Sequence, residues 1–246
     1  MCGIYGTTIK YTNNQIKSKL ERTAFRGPDK MDWKSYNYND NHVTFGHNRL
    51  SIIDLDPRSN QPFKYLDKIN IVFNGEIYNF QELKKKLSQK GYVFNTTSDT
   101  EVICAAYLEF GKNCLEYLNG MFAFVIYDIT KQQFFGARDR LGQKPFYYYL
   151  NGKEFEFSSQ ISSIQLFNEN RLTISSNSIQ KYLSWGTIPD TNSIINEIKK
   201  LQAGHYFTYN LNTGEFKNEE YWDIDYLGKN KFEGTYDEAT LELENI

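Results

Sequence analysis

The chain opens Met1-Cys2-Gly3-Ile4-Tyr5-Gly6-Thr7-Thr8-Ile9, and this stretch decides how the rest folds around it. β-Branched and aromatic residues with small ones between them suit a buried strand, which here begins at the terminus itself. A cysteine therefore stands at the head of the first strand. Beyond it, Ile16 and Leu20 share one face of an expected helix, closed by Arg26-Gly27-Pro28-Asp29. Strands are expected over Met31 to Tyr38, Val43 to Ile53 and Ile69 to Phe73.

Two helices come next. Phe80 to Lys90 carries Leu83 and Leu87 four apart, with Asn79 as N-cap and Gly91 past its end. Ser98-Asp99-Thr100-Glu101 has the spacing of a capping box and opens a helix bearing Val102, Ile103, Ala106, Tyr107 and Phe110, which Gly111 ends. Met121 to Asp128, Gln133 to Asp139 and Phe146 to Leu150 read as strands, and Asn151-Gly152 as a hairpin turn. After a helical stretch near Ser178 to Trp185, His205 to Leu211 and Glu215 to Trp222 form another hairpin, turned by Asn212-Thr213-Gly214. Successive hairpins with helices between groups predict antiparallel sheet covered by helices, an α+β fold, because parallel strands need a crossover after each one. One domain is expected over 1–225. Residues 226–246 read as a linker, at Gly228-Lys229-Asn230-Lys231, and the start of a second domain, with Thr235-x-x-Glu238 opening its first helix.

With 246 residues, 40% hydrophobic and 24% charged, the chain is long enough to bury a real core. A net charge of -2 with scattered lysines offers no footprint for nucleic acid or an anionic membrane. No apolar run approaches the roughly 18 residues of a membrane span and no signal peptide is evident, so a cytoplasmic location is expected. Three cysteines are an odd number without metal-ligand spacing, so neither a disulfide framework nor a metal site is expected. Cys104 and Cys114 read as core residues.

Cys2 is different because of its position. A side chain this small permits removal of the initiator methionine, which leaves a thiol and a free α-amine on one residue. An α-amine titrates at about 7.7 to 8.0 and can take the thiol's proton at neutral pH. The rival is a Cys-His pair drawn from His42, His47 or His205, among which no local spacing selects. Taken singly, other polar residues have plain structural roles. Asn74-Gly75 is a turn dipeptide, Asp99 a first-turn acid on the helix dipole, Arg49 a surface cation, and Arg138-Asp139 a buried ion pair.

Taken together, they suggest more. Cys2-Gly3-Ile4-Tyr5-Gly6, Arg26-Gly27-Pro28-Asp29, His47-Asn48-Arg49-Leu50-Ser51-Ile52-Ile53-Asp54, Phe73-Asn74-Gly75-Glu76-Ile77-Tyr78-Asn79 and Ser98-Asp99-Thr100-Glu101 occur in that order. Gly120-Met121-Phe122-Ala123-Phe124, Arg138-Asp139-Arg140-Leu141-Gly142-Gln143-Lys144-Pro145 and Phe157-Ser158-Ser159 follow. This series resembles the glutaminase half of glutamine-hydrolysing asparagine synthetases as far as about Asp225. Phe25, where many members carry histidine, and Tyr5, where phenylalanine or valine is common, depart from it.

The resemblance implies the four-layer αββα sandwich of N-terminal-nucleophile hydrolases, with two antiparallel sheets between helices. It implies L-glutamine as substrate and Cys2, Asn74 and Gly75 as catalytic groups, Cys2 attacking the amide while Asn74 and the Gly75 N–H hold the oxyanion. Arg49 would grip the α-carboxylate with a bidentate fork, backbone of Leu50, Ser51, Ile52 and Ile53 would wall the pocket, and Glu76 and Asp99 would receive the α-ammonium. No Ser-Gly-Gly-x-Asp-Ser pyrophosphate loop occurs. No cofactor is therefore expected on this chain, and ATP and Mg would belong to a C-terminal ATP-pyrophosphatase synthetase domain of a longer protein. Aspartate is the foremost acceptor, while a surface-polysaccharide sugar or another carboxylate stays open, as do a homodimer and a non-catalytic glutamine-binding module.

Overall fold

The structure, a computed structural model, describes residues 1–189, 191–224 and 232–244. Its strands are β1 (Gly3–Thr7), β2 (Lys30–Tyr38), β3 (Asn41–Arg49), β4 (Phe63–Tyr65), β5 (Ile69–Ile77), β6 (Gly120–Asp128), β7 (Gln133–Arg138), β8 (Tyr147–Asn151), β9 (Glu154–Ser158), β10 (Ile198–Lys200), β11 (His205–Asn210) and β12 (Phe216–Glu220). Its α-helices are α1 (Asn13–Glu21), α2 (Phe80–Gln89), α3 (Asp99–Phe110), α4 (Cys114–Tyr117), α5 (Ile161–Gln165), α6 (Ser176–Trp185) and α7 (Tyr236–Glu244). The strands form two six-stranded sheets, ordered β10-β8-β9-β1-β3-β2 and β12-β11-β7-β6-β5-β4. Neighbours pair antiparallel throughout, as the run of hairpins predicts.

Side-chain alternation sets the layers. On the first sheet Ile4, Phe45, Phe155 and Phe157 meet Val72, Val125, Phe134, Phe207 and Tyr209 of the second. Their neighbours point outward: Tyr5 packs on Ile16 and Leu20 of α1, Tyr149 on Ile164 of α5, and Ile71 and Phe73 on α2 and α3. Helix, sheet, sheet and helix thus stack in four layers. Phe134 touches Phe45, Phe155, Phe157 and Tyr209 with ring centroids 5.4 to 6.5 Å apart. Each such buried ring contributes roughly 1.5 to 3 kcal/mol of transfer free energy. Cys104 and Cys114 are fully buried in the outer core, as expected.

Several boundaries differ from expectation for physical reasons. β3 stops at Arg49 instead of continuing to Ile53, because the carbonyls of Ile53, Asp54 and Asp56 turn back to the Arg49 guanidinium. β5 runs through Asn74-Gly75 to Ile77, so that dipeptide is mid-strand and not a turn. Glycine is required there by proximity: a Cβ on Gly75 would lie 2.1 Å from the Met121 carbonyl oxygen. Asn79 sits at the N-cap of α2 but makes no capping bond. Its amide bridges the Tyr117 carbonyl and the Asn119 N–H. At α3 only half the capping box forms. Ser98 Oγ accepts from Thr100 N–H, while Glu101 turns to the N–H groups of Asn95 and Thr96. The reciprocal box does form at Thr12-x-x-Gln15 before α1 and at Thr235-x-x-Glu238 before α7. Arg138 and Asp139 are not a contact ion pair. Arg138 binds the carbonyls of Gly142, Lys144 and Leu201, and Asp139 accepts from the N–H groups of Phe122, Leu141, Gln143 and Lys144. The expected linker at 228–231 and the boundary at 225/226 lie outside the described residues.

Candidate active site

The alternation that builds the inner core also builds the site. Cys2 follows the phase of Ile4, His47 and Arg49 that of Phe45, and Asn74 and Glu76 that of Val72. All five therefore face the space between the sheets, at the end where β1 begins and β3 and β5 finish. Beyond this end the chain turns into 50–60 on one side and 95–99 on the other.

One cleft results. Of the ten residues expected in the site, Cys2, Arg49, Leu50, Ile52, Ile53, Gly75, Glu76 and Asp99 line it. Ser51 and Asn74 do not. The Ser51 N–H donates to Asp29 Oδ2 at 2.7 Å, and Asn74 is buried with neither amide atom partnered by protein. A buried amide with both ends open is costly unless something else meets it.

The Cys2 thiol lies against Leu50, accepting from its N–H at 3.4 Å and donating to its carbonyl at 3.6 Å. Burial pushes the thiol's pKa up, opposed by the Leu50 N–H and the N-terminal ammonium. The thiol is thus protonated at neutral pH and needs a base. Arg26 Nε donates to the Cys2 carbonyl at 3.0 Å and anchors it. The Met1 sulfur lies 3.2 Å from Lys144 Nζ, and the Met1 ammonium acts on both Cys2 and Glu76.

Among the described residues no histidine hydrogen-bonds the Cys2 thiol, although His47 lines the same cleft. His47 is buried, with Nε2 3.1 Å from the Phe73 carbonyl oxygen, so Nε2 carries the proton in this contact. Burial, aided by the Arg49 charge, holds its pKa at about 3, so it is neutral. His42 sits near the far end of the β2–β3 hairpin with Asn37 and Thr44, and His205 with the Ala203 carbonyl.

Arg49 is no surface cation. It is 6% exposed, and its Nη1 donates to Asn60 Oδ1 at 2.6 Å and the Asp56 carbonyl at 3.2 Å. Its Nη2 serves the carbonyls of Asp54 and Ile53. The guanidinium is the hub around which the cleft wall is wound. Opposite it, Asp99 Oδ2 accepts from Ile77 N–H at 3.0 Å. Burial raises the Asp99 carboxyl to about 7, with the Glu76 charge adding to the rise, and burial raises Glu76 too. Two adjacent carboxylates with raised pKa values form a subsite that favours a cation.

Some site residues have no single-residue signal. Arg26 and Asp29 were visible only as part of a quoted motif. Gln61, which lines the cleft and accepts from Phe73 N–H at 2.6 Å, had none.

A thiol at the head of β1 thus faces the space between two antiparallel sheets, with an arginine and a pair of carboxylates lining the same cleft. Residues 1–222 match the family model described as a glutamine amidotransferase domain, and the chain belongs to that family. It is 38% identical to asparagine synthetase 1 (glutamine-hydrolysing) of Bacillus subtilis over 85% of this chain and 33% of that one. It is 32% identical to asparagine synthetase 3 of the same organism over its full length and 40% of that protein. The chain thus spans about a third to two fifths of these relatives. The glutamine phosphoribosylpyrophosphate amidotransferase of B. subtilis, 18% identical, superposes with a TM-score of 0.67 over 91% of this chain and 50% of that one, a likeness of fold. No described helix is long and apolar enough to cross a membrane.

Proposed function

We propose that this chain hydrolyses the side-chain amide of L-glutamine through Cys2. One observation carries the reading: a thiol, an arginine and two carboxylates with raised pKa values converge on a single cleft. These are the groups that a free amino acid with a terminal amide calls for. Glu76, whose ionised form the nearby Lys144 and N-terminal charges favour, is the proposed partner of the substrate's ammonium.

With Met1 removed, the Cys2 α-amine takes the thiol proton and the thiolate attacks the amide carbon. The carbonyl electron pair moves onto oxygen, which the Asn74 amide and the Gly75 N–H receive. The buried, unpartnered Asn74 Nδ2 supports this assignment. Collapse breaks the C–N bond, and ammonia leaves with the proton held by the α-ammonium. Water, deprotonated by the same amine, then splits the γ-glutamyl thioester into glutamate and the free thiol. Asn74→Ala is expected to lower kcat by about a hundredfold to a thousandfold.

The ammonia is proposed to pass to ATP-activated aspartate in a synthetase domain that binds ATP and Mg, in the cytoplasm. The names and greater length of the relatives support this. Ammonia release from glutamine is the test. Cys2→Ala and a form that retains Met1 are both expected to be inactive, and parental turnover in either would sink the reading.

A further inference from the structure

Asp54 closes the quoted His47-to-Asp54 motif, yet none of the chemistry above uses it. Its backbone φ is +49°, a left-handed conformation that a non-glycine residue adopts at a cost. That twist sends the carbonyl one way, to Arg49 Nη2, and the side chain the other. The side chain is 3% exposed, and Oδ2 accepts from Thr97 N–H at 2.7 Å while Oδ1 accepts from Asp56 N–H at 3.2 Å. Arg58 Nη2 lies 3.5 Å from Oδ2. Burial works to raise this carboxyl, but the Thr97 N–H and its other hydrogen bonds outweigh it and hold it at about 2. The contacts are therefore charge-assisted at any working pH.

The sequence positions of these partners give the bond its meaning. Arg49 and residues 50–53 form one wall of the cleft, and Ser98 and Asp99 begin the other. The Asp54–Thr97 bond, which spans 43 residues of chain, ties the two walls together. We infer that Asp54 is a positioning residue that fixes the distance between the Arg49 and Asp99 sides of the cleft, and so selects substrates carrying a carboxylate and an ammonium together. The inference rests on the glutaminase reading. Removing the strut leaves each wall able to hold its own group but lets the walls separate, so the advantage of engaging both at once is lost.

The test compares kcat/KM for ammonia release from three amides by the chain with Met1 removed. They are glutamine, glutaramate, which lacks the α-ammonium, and 4-aminobutanamide, which lacks the α-carboxylate. In Asp54→Ala the preference for glutamine over both analogues is expected to shrink tenfold or more, through KM and with kcat retained. Asp54→Asn keeps the size and one acceptor but turns an N–H2 towards a donor, and is expected to show the same change to a smaller extent. A merely structural role lowers all three substrates in parallel. If the parent releases ammonia from none of them, the glutaminase reading fails and the inference with it. If the parent prefers glutamine and both variants keep the full preference, the reading stands and the role of Asp54 is overturned.

Discussion

Two of the places that withdraw carboxylates from water treat them in opposite ways. Glu156 on β9 is fully enclosed on the outer face of the first sheet. It pairs with Lys19 Nζ of α1 at 2.8 Å and accepts from Tyr5 Oη at 2.7 Å and Asn168 Nδ2 at 2.9 Å. Lys19 donates its remaining protons to the carbonyls of Ser163 and Leu166. In the cleft, Asp99 and Glu76 are also drawn out of water, but among the described residues neither makes a contact ion pair: the Lys144 and N-terminal charges act on Glu76 without touching it, and Asp99 rises to about 7. One carboxylate brings its own cation and clamps a helix to a sheet. The other two make no such contact and are the proposed seat of a ligand's ammonium. Stability and binding thus draw on the same desolvation, and the presence or absence of a built-in partner separates them.

The largest expected effect breaks the first place. Lys19→Met leaves Glu156 buried without a cation and is expected to cost about 3 to 5 kcal/mol in urea unfolding. A loss under about 1 kcal/mol would mean that the pair is not the clamp its geometry implies.

Asp99→Asn acts on the second place with the opposite sign. The native pKa of about 7 exceeds the unfolded value of about 3.9. The native state therefore binds the extra proton between these limits, and stability falls as pH rises from 4 to 7. The variant cannot ionise. It is expected to gain about 1 to 3 kcal/mol at pH 8, to lose that part of the pH dependence, and to bind glutamine more weakly. Thermal unfolding at pH 5 and pH 8 with and without glutamine checks all three, and lower stability at pH 8 counts against the assignment.

A smaller effect follows from the same carboxyl. On the proposed role, Asp99 must be ionised to receive the ammonium of glutamine, so affinity is expected to rise by up to about tenfold per pH unit towards 7 and to level off above it. Calorimetric titration at several pH values measures this, and a flat profile would show that Asp99 is not the partner. The smallest effect sharpens the first place: Lys19→Met combined with Glu156→Leu removes both charges and is expected to return to within about 1 kcal/mol of the parent.

Much of this was legible in the chain, and the illegible part has a common cause. The hairpins were readable because strand period and turn residues are local. β3 ends four residues short of the expected Ile53: Ile52 and Ile53 have strand-like side chains, while the pull of Arg49 on their neighbours acts through folded space. Asn74-Gly75 looked like a turn because its local propensity is a turn's. The approach of Met121 that demands glycine comes from a strand more than forty residues away. Asp54 and Gln61 carry no spacing signal, since their partners Thr97 and Phe73 are fixed only by packing.

By itself the sequence determined which groups exist and where strands and helices tend to form: a thiol at position 2, an arginine at 49, carboxylates at 76 and 99, and a pleat phase that points the first two and Glu76 inward. Only the tertiary structure decided their states. It made Asp99 a carboxyl near neutrality, His47 a neutral ring, Arg49 a hub rather than a surface charge, and Asn74 an open amide. The reason is that a charge's free energy depends on the water it loses and the partners it meets, and both are set by residues far away in the chain.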